Sequence, residues 1–190
     1  EDGIRDHCVT GVQTCALPIF GEVVFGEGDV ELQDVVARLL LERRCTLSTA
    51  ESCTGGLVGH LLTEIAGISE VYLGGVVSYS NDAKKKFLGV PESILKEHGA
   101  VSAQTAEAMA DGCRERFGSD LAVAATGIAG PGGGSLEKPV GLVYVSLAHE
   151  KGHRTVKLLW GADRSFTKIL SAKTALNLVR LHLLLGPGNY

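Results

Sequence analysis

Cys45-Thr46-Leu47-Ser48-Thr49-Ala50-Glu51-Ser52-Cys53-Thr54-Gly55-Gly56 runs from a short β-type stretch into a turn built of small residues. Residues 45–49 read as a strand, and residues 57–65 read as the helix that follows the turn. Strand, small-residue turn and helix is the order in which an α/β fold presents a ligand site. Upstream, Leu32, Val35, Val36, Leu39 and Leu40 recur at helical spacing with Asp34, Arg38 and Glu42 between them, which predicts an amphipathic helix with one buried stripe. Downstream, residues 71–80 are β-branched and aromatic, and paired Gly74 and Gly75 point to a bulge or a close approach. Short helices are expected over residues 83–88 and 91–97, and Ser102 can cap a longer one ending near Phe117 and Gly118. Residues 121–125 form an almost wholly apolar strand, the kind buried on both faces. Two more strands, 141–148 and 155–160, flank the hairpin turn Glu150-Lys151-Gly152. The last helix begins at Arg164 and ends near Leu185, with Phe166, Ile169, Leu170, Leu176, Val179 and Leu183 as its apolar stripe. This alternation predicts an α/β domain: a mixed central sheet with helices on both faces, a three-layer α/β/α sandwich.

Composition narrows the function classes. The 190 residues are 45% hydrophobic and 21% charged, enough to build a core and unlike a disordered chain. Eighteen basic against 22 acidic side chains give a formal charge of −4, which argues against broad neutralisation of a nucleic-acid backbone. Five cysteines are too few and too uneven for a disulfide scaffold, so a reducing, cytoplasmic setting is expected. The histidines form neither an HExxH motif nor a zinc-finger spacing, so no metal is expected, and no apolar stretch reads as a membrane span.

The opening residues, 1–20, have mixed polarity and no clean period, lack the order of a signal peptide, and resemble a translated sequencing-adapter read. They are set aside, together with Cys8 and Cys15. The organisation expected is therefore a prefix over 1–20, a connector over 21–30, one domain over 31–186 and a short tail over 187–190.

Three constellations carry chemical potential. Ser52 stands at the mouth of the strand-to-helix turn, where unpaired amides could stabilise an oxyanion formed by its attack. Taken alone, a serine before a helix is more often a cap, and Thr54 could cap or bind a ligand equally well. In Tyr79-Ser80-Asn81-Asp82-Ala83-Lys84, the lysine shares a helical face with Leu88 and is the one expected to turn inward, unlike Lys85 and Lys86. A partly desolvated amine there could serve as a general base, whereas a bare charge run would be a solvated face. The loop over 127–134 follows the buried strand and could cradle an anion with its amides, or be a flexible surface turn. It fits neither GxxxxGK[ST] nor a strand-helix GxGxxG, so neither ATP nor a dinucleotide is supported. Arg164, in the first turn of the last helix, is a phosphate candidate or a solvent-exposed guanidinium.

Four ordered pieces sharpen this reading: Ala50-Glu51-Ser52-Cys53-Thr54-Gly55-Gly56; Tyr79-Ser80-Asn81 with Lys84; Ala125-Thr126-Gly127-Ile128-Ala129-Gly130-Pro131; and Lys138-Pro139-Val140-Gly141. Together they resemble the C-terminal domain of competence/damage-inducible protein A, found also as the stand-alone nicotinamide-nucleotide amidohydrolase. The resemblance implies hydrolysis of the carboxamide of nicotinamide mononucleotide to nicotinic acid mononucleotide and ammonia, with no cofactor. It places the nucleophile on Ser52, its activating partner on Lys84, and a positioning or proton-relay role on Tyr79. It implies substrate contacts at Thr54, Gly55, Gly56, Asn81, Thr126, Gly127, Gly130 and Arg164. The phosphate would sit against Thr126 and the 127–130 amides or against Arg164, two placements left unranked. Homodimers or higher homo-oligomers are expected, and neither a nucleic acid nor a membrane as partner. Many family members carry a large N-terminal domain resembling molybdopterin-binding proteins, and residues 21–30 look like its connector. The rival readings are a non-catalytic nucleotide-binding or regulatory module linked to competence and DNA damage, and amide hydrolysis of an unphosphorylated pyridine such as nicotinamide.

Overall fold

The computed structural model describes residues 25, 28–161 and 163–187; the expected prefix, most of the connector and the last three residues of the tail lie outside them. The elements in chain order are α1 (Leu32–Arg43), β1 (Leu47–Glu51), α2 (Leu57–Thr63), a 3₁₀ turn (Ile68–Glu70), β2 (Tyr72–Val77), α3 (Asn81–Leu88), α4 (Glu92–His98), α5 (Ala103–Phe117), β3 (Leu121–Gly127), β4 (Leu142–His149), β5 (Gly152–Leu159) and α6 (Arg164–Leu185).

The strands form one five-stranded sheet in the order β2-β1-β3-β4-β5. β2, β1 and β3 run parallel, while β4 and β5 return antiparallel as a hairpin. It is a mixed sheet between two helical layers, an α/β/α sandwich.

Period-two alternation decides what each face receives. From β3, Leu121, Val123 and Ala125 join Val143, Val145 and Leu147 of β4 on the face covered by α1 and α6. Residues of opposite parity, Ala50, Ala122, Ala124 and Ala148, meet Met109, Ala110 and Cys113 of α5 on the other face. Alanines on that face let α5 lie close to the sheet. A similar approach joins α5 to the end of α3, where a Cβ on Gly112 would land on the Leu88 carbonyl oxygen.

Several boundaries differ from the sequence reading for identifiable reasons. The first strand is Leu47–Glu51 rather than 45–49, because all five residues pair with both β2 and β3. β3 reaches Gly127, where a Cβ would crowd Val143 and the Leu142 carbonyl of the neighbouring strand. Gly74 and Gly75 serve both expected purposes. The β1–β2 register slips between Leu47 and Ser48, and a Cβ on Gly75 would strike the Thr49 hydroxyl. On α6, Phe166 and Ile169 are exposed, contrary to the expected stripe; the first two turns bury Thr167, Ser171 and Ala172 instead. Among the described residues no helix is long and apolar enough to cross a membrane.

Candidate active site

β1, β2 and β3 end side by side, and their C-terminal ends open onto one hollow, as expected where parallel strands deliver chain to a common edge. Ser52 follows the last residue of β1 and is held in register by its amide, which donates to the Ala125 carbonyl at 2.9 Å. Lys84 comes from the second turn inside α3, whose start is fixed by Ser80 accepting from the Ala83 amide at 3.1 Å. Its inward side chain is 1% exposed, and Nζ donates to Ser52 Oγ at 2.9 Å and to the Ser78 carbonyl at 2.7 Å. Lys85 pairs instead with Asp82 at the surface.

Burial pushes the Lys84 amine down to about 8, because removing water penalises the charged form; the Cys53 thiol, a weaker influence, pulls it back up. The thiols of Cys53, Cys45 and Cys113 are themselves raised to about 11 by burial, so none is an activated nucleophile.

The hollow beside this pair is about 210 Å³ and is lined by Ser52, Cys53, Tyr79, Lys84, Ala100, Val101, Thr126, Gly127, Ala129 and Arg164. At its mouth Arg164 spans two elements, donating to the Gly130 carbonyl at 2.7 Å and to the Tyr79 hydroxyl at 3.0 Å. A second hollow of about 570 Å³, lined by Ala129, Pro131, Val140, Asp163, Arg164 and Ser165, shares Ala129 and Arg164 with the first. Thr126 is buried and donates its hydroxyl to the Ala100 carbonyl at 2.7 Å, tying the end of β3 to the segment before α5.

Six of the candidate residues therefore meet in one cavity: Ser52, Lys84, Tyr79, Thr126, Gly127 and Arg164. Gly130 is joined to them through its carbonyl. Thr54, Gly55, Gly56 and Asn81 do not line it. Gly55 and Gly56 shape the turn with left-handed φ of 66° and 97°, and Asn81 is the exposed first residue of α3. Thr54 is fully buried, and its hydroxyl, like that of Ser78, has no hydrogen-bond partner among the described residues.

One residue of this neighbourhood stands in the first motif but was given no role in the sequence reading. Glu51 is 2% exposed, and its carboxylate accepts from the amides of Gly56 (2.9 Å), Val58 (3.1 Å) and Gly59 (2.9 Å) at the start of α2. The amides of Gly55 and Gly56 belong to the turn whose amides were expected to be unpaired, yet they have partners: the Ser52 carbonyl and Glu51. The available signal was an acidic residue directly before a glycine turn and a helix that has no side-chain cap of its own.

The four motifs occupy the corners of this arrangement, and a family model described as the CinA C-terminal domain matches residues 29–183. The chain belongs to the CinA C-terminal domain family. This family is classified in the nicotinamide-nucleotide amidohydrolase-like superfamily. A CinA-like protein of Geobacter sulfurreducens is 48% identical over 164 residues, covering 86% of this chain and 40% of that protein. A CinA-like protein of Dictyoglomus turgidum is 46% identical over 165 residues, again 86% of this chain and 40% of the relative. The chain thus spans about two fifths of the length of the curated relatives it matches. Among solved structures, the competence/damage inducible protein CihA from Agrobacterium tumefaciens is similar with a TM-score of 0.75 and 42% identity, over 83% of this chain and 99% of that one. A competence-damaged protein (CinA) superfamily protein from Escherichia coli gives a TM-score of 0.77 at 29% identity, over 85% and 98%. Among the described residues of this CinA domain, no three His, Cys, Asp or Glu side chains are grouped to hold a metal ion.

Proposed function

We propose that this CinA domain is a serine–lysine amidohydrolase acting on the carboxamide of a pyridine mononucleotide, nicotinamide mononucleotide being the first substrate to test. The observation that carries the reading is the buried contact between Lys84 Nζ and Ser52 Oγ, 2.9 Å long, with the amine lowered to about 8. A neutral lysine keeps two N–H groups, one for the Ser78 carbonyl, and presents its lone pair to the serine hydroxyl. Ser52 Oγ attacks the carboxamide carbon as its proton passes to Lys84. Collapse of the tetrahedral adduct breaks the C–N bond, and Lys84 returns the proton so that ammonia leaves. Water, deprotonated by the same amine, then hydrolyses the acyl-serine to the carboxylate. The cationic pyridinium withdraws electrons from the carboxamide and makes it more electrophilic than an ordinary amide. The 210 Å³ hollow suits the ring, and the adjoining hollow beyond Arg164 offers room for the ribose and phosphate.

The decisive experiment is ammonia release from nicotinamide mononucleotide by the purified protein, with and without a chelator, beside Ser52→Ala and Lys84→Ala. Release that survives chelation and vanishes in both folded variants supports the reading; no release from a folded parent overturns it.

A second reading rests on the names of the relatives. They speak of competence and damage induction and state no reaction, which favours a non-catalytic nucleotide-binding or regulatory module. Calorimetric binding of the mononucleotide without turnover would put that reading first. The expected partner is a small phosphorylated pyridine nucleotide, with self-association to a homodimer or larger homo-oligomer.

A further inference from the structure

Consecutive residues at the end of β1 point to opposite faces of the sheet, so Ser52 turns toward α3 and Lys84 while Glu51 turns toward α2. Both oxygens of the Glu51 carboxylate are used: Oε2 accepts from Gly56 and Val58, Oε1 from Gly59. The three bonds tie the first turn of α2 to the strand end, and between these two anchors lies the turn that carries Ser52. Within the turn, the Ser52 amide holds the Ala125 carbonyl and the Ser52 carbonyl accepts from Gly55, but Gly56, the residue before α2, offers no side-chain cap, so Glu51 is the side chain that fixes α2 to the strand end. The space around Glu51 is tight as well. A Cβ at Gly59 would meet the Tyr72 hydroxyl, which is itself bonded to Thr49 at 2.7 Å, and would lie against Glu51 Oε1.

We infer that Glu51 is a positioning residue for the nucleophile: by clamping α2 to β1 it fixes the orientation of Ser52 toward Lys84. This deepens the reading of Ser52 as a nucleophile and rests on it. The same carboxylate confines the oxyanion donors to amides other than those of Gly56, Val58 and Gly59. Nucleophilic attack is steep in geometry, a displacement near 1 Å costing about 100-fold in rate.

The test uses a fluorophosphonate, which reports on Ser52 without a nucleotide substrate. The rate of covalent labelling at Ser52, read by intact mass, is compared for wild type, Glu51→Gln and Glu51→Asp, with the folded fraction of each taken from circular dichroism. Glu51→Gln keeps the shape but sets an amide N–H₂ among backbone donors. It is expected to label about 100-fold more slowly per folded molecule, with the pH midpoint of labelling unchanged because Lys84 is untouched. Glu51→Asp keeps the charge one methylene shorter and is expected to fall between the two. Labelling of folded Glu51→Gln within twofold of wild type overturns the inference. If Glu51→Gln does not fold, wild-type labelling of folded Glu51→Asp does the same. A wild-type protein that labels at Ser52 yet releases no ammonia from nicotinamide mononucleotide defeats the substrate assignment and leaves the role of Glu51 standing. A wild type that is not labelled at Ser52 removes both.

Discussion

Lys84→Met should detach stability from activity, and the effect can be worked from the structure. The amine is lowered from an ordinary value of 10.5 to about 8, and burial is the larger cause. Between these two values the unfolded chain binds the proton that the folded chain has released, so stability rises with pH across this window. Below pH 8 both states hold the proton and the full penalty of burying the charge is present. A shift of this size is worth about 3 kcal/mol. Methionine has a similar reach and no charge. It forfeits the bonds to Ser52 and Ser78, a loss of about 1.5–3 kcal/mol for the charged amine, whose change on deprotonation is already contained in the lowered pKa. The wild-type curve by itself is a poor assay, because Cys45, Cys53 and Cys113, raised to about 11, lose stability as pH rises above 9. Cys45 and Cys113 are uncoupled from Lys84 and cancel in the difference, and Cys53, which the Lys84 charge lowers, cancels to the extent that Lys84 has become neutral before that thiol titrates. Urea unfolding of wild type and Lys84→Met at pH values from 7 to 10.5 should therefore show a wild-type stability that climbs relative to the variant by about 3 kcal/mol. A difference that stays flat across that range would refute the depressed amine, and with it the account of Lys84 as a base. The kinetic counterpart is an acid limb of slope one in kcat/KM with its midpoint at about 8, roughly one lysine in ten being neutral at pH 7.

Ser52→Ala should retain fold and ligand binding while kcat for ammonia release drops about 10⁴-fold or more, measured with a coupled ammonia assay. Arg164→Ala removes a guanidinium from the shared wall of the two hollows. KM for the phosphorylated substrate should rise about 10- to 100-fold with little change for free nicotinamide, and equal effects on both would count against a phosphate contact there. Gly112→Ala forces a methyl onto the Leu88 carbonyl and should lower stability by about 1–3 kcal/mol or more in denaturant titration, whereas the same change at exposed Gly132, with open space around it, should be nearly neutral.

The layered fold was legible because its elements are distinct in sequence: β3 is almost wholly apolar and buried, and α6 runs from Arg164 to Leu185 as expected. The inward turn of Lys84 was legible too, since its spacing of four from buried Leu88 sets it on the same helical face. Strand ends were less so. Nothing local marks where β1 stops; the answer depends on which residues find partners on β2 and β3, and pairing is a tertiary fact. The error at Phe166 and Ile169 has a similar origin. Hydropathy favours them for the core, but the start of α6 buries the small and hydroxylated Thr167, Ser171 and Ala172 instead, and which helix face is covered is set by tertiary packing. Glu51 escaped because its partners are backbone amides, which carry no side-chain signature.

A lysine base is useful only while it is easily deprotonated, and any carboxylate near it would raise its affinity for the proton. The sequence sets a carboxylate directly beside the nucleophile, which by adjacency alone should spoil the amine. Alternation along β1 prevents this: Glu51 lies on the far face, with both oxygens occupied by three amides, and among the described residues the ionisable group that draws the Lys84 amine upward is the Cys53 thiol. The thiol is held protonated by its own burial and so contributes little negative charge. Burial is then left to dominate, and Lys84 reaches about 8 with no acidic partner. The arrangement makes a sharp demand of Cys53. Cys53→Asp, which would set a carboxylate beside Lys84, should raise the amine and move the acid limb of kcat/KM upward by a unit or more, on the order of the shift expected from an opposite charge at close range. An acid limb that stays at about 8 in a folded Cys53→Asp protein would mean that the titrating group is not Lys84.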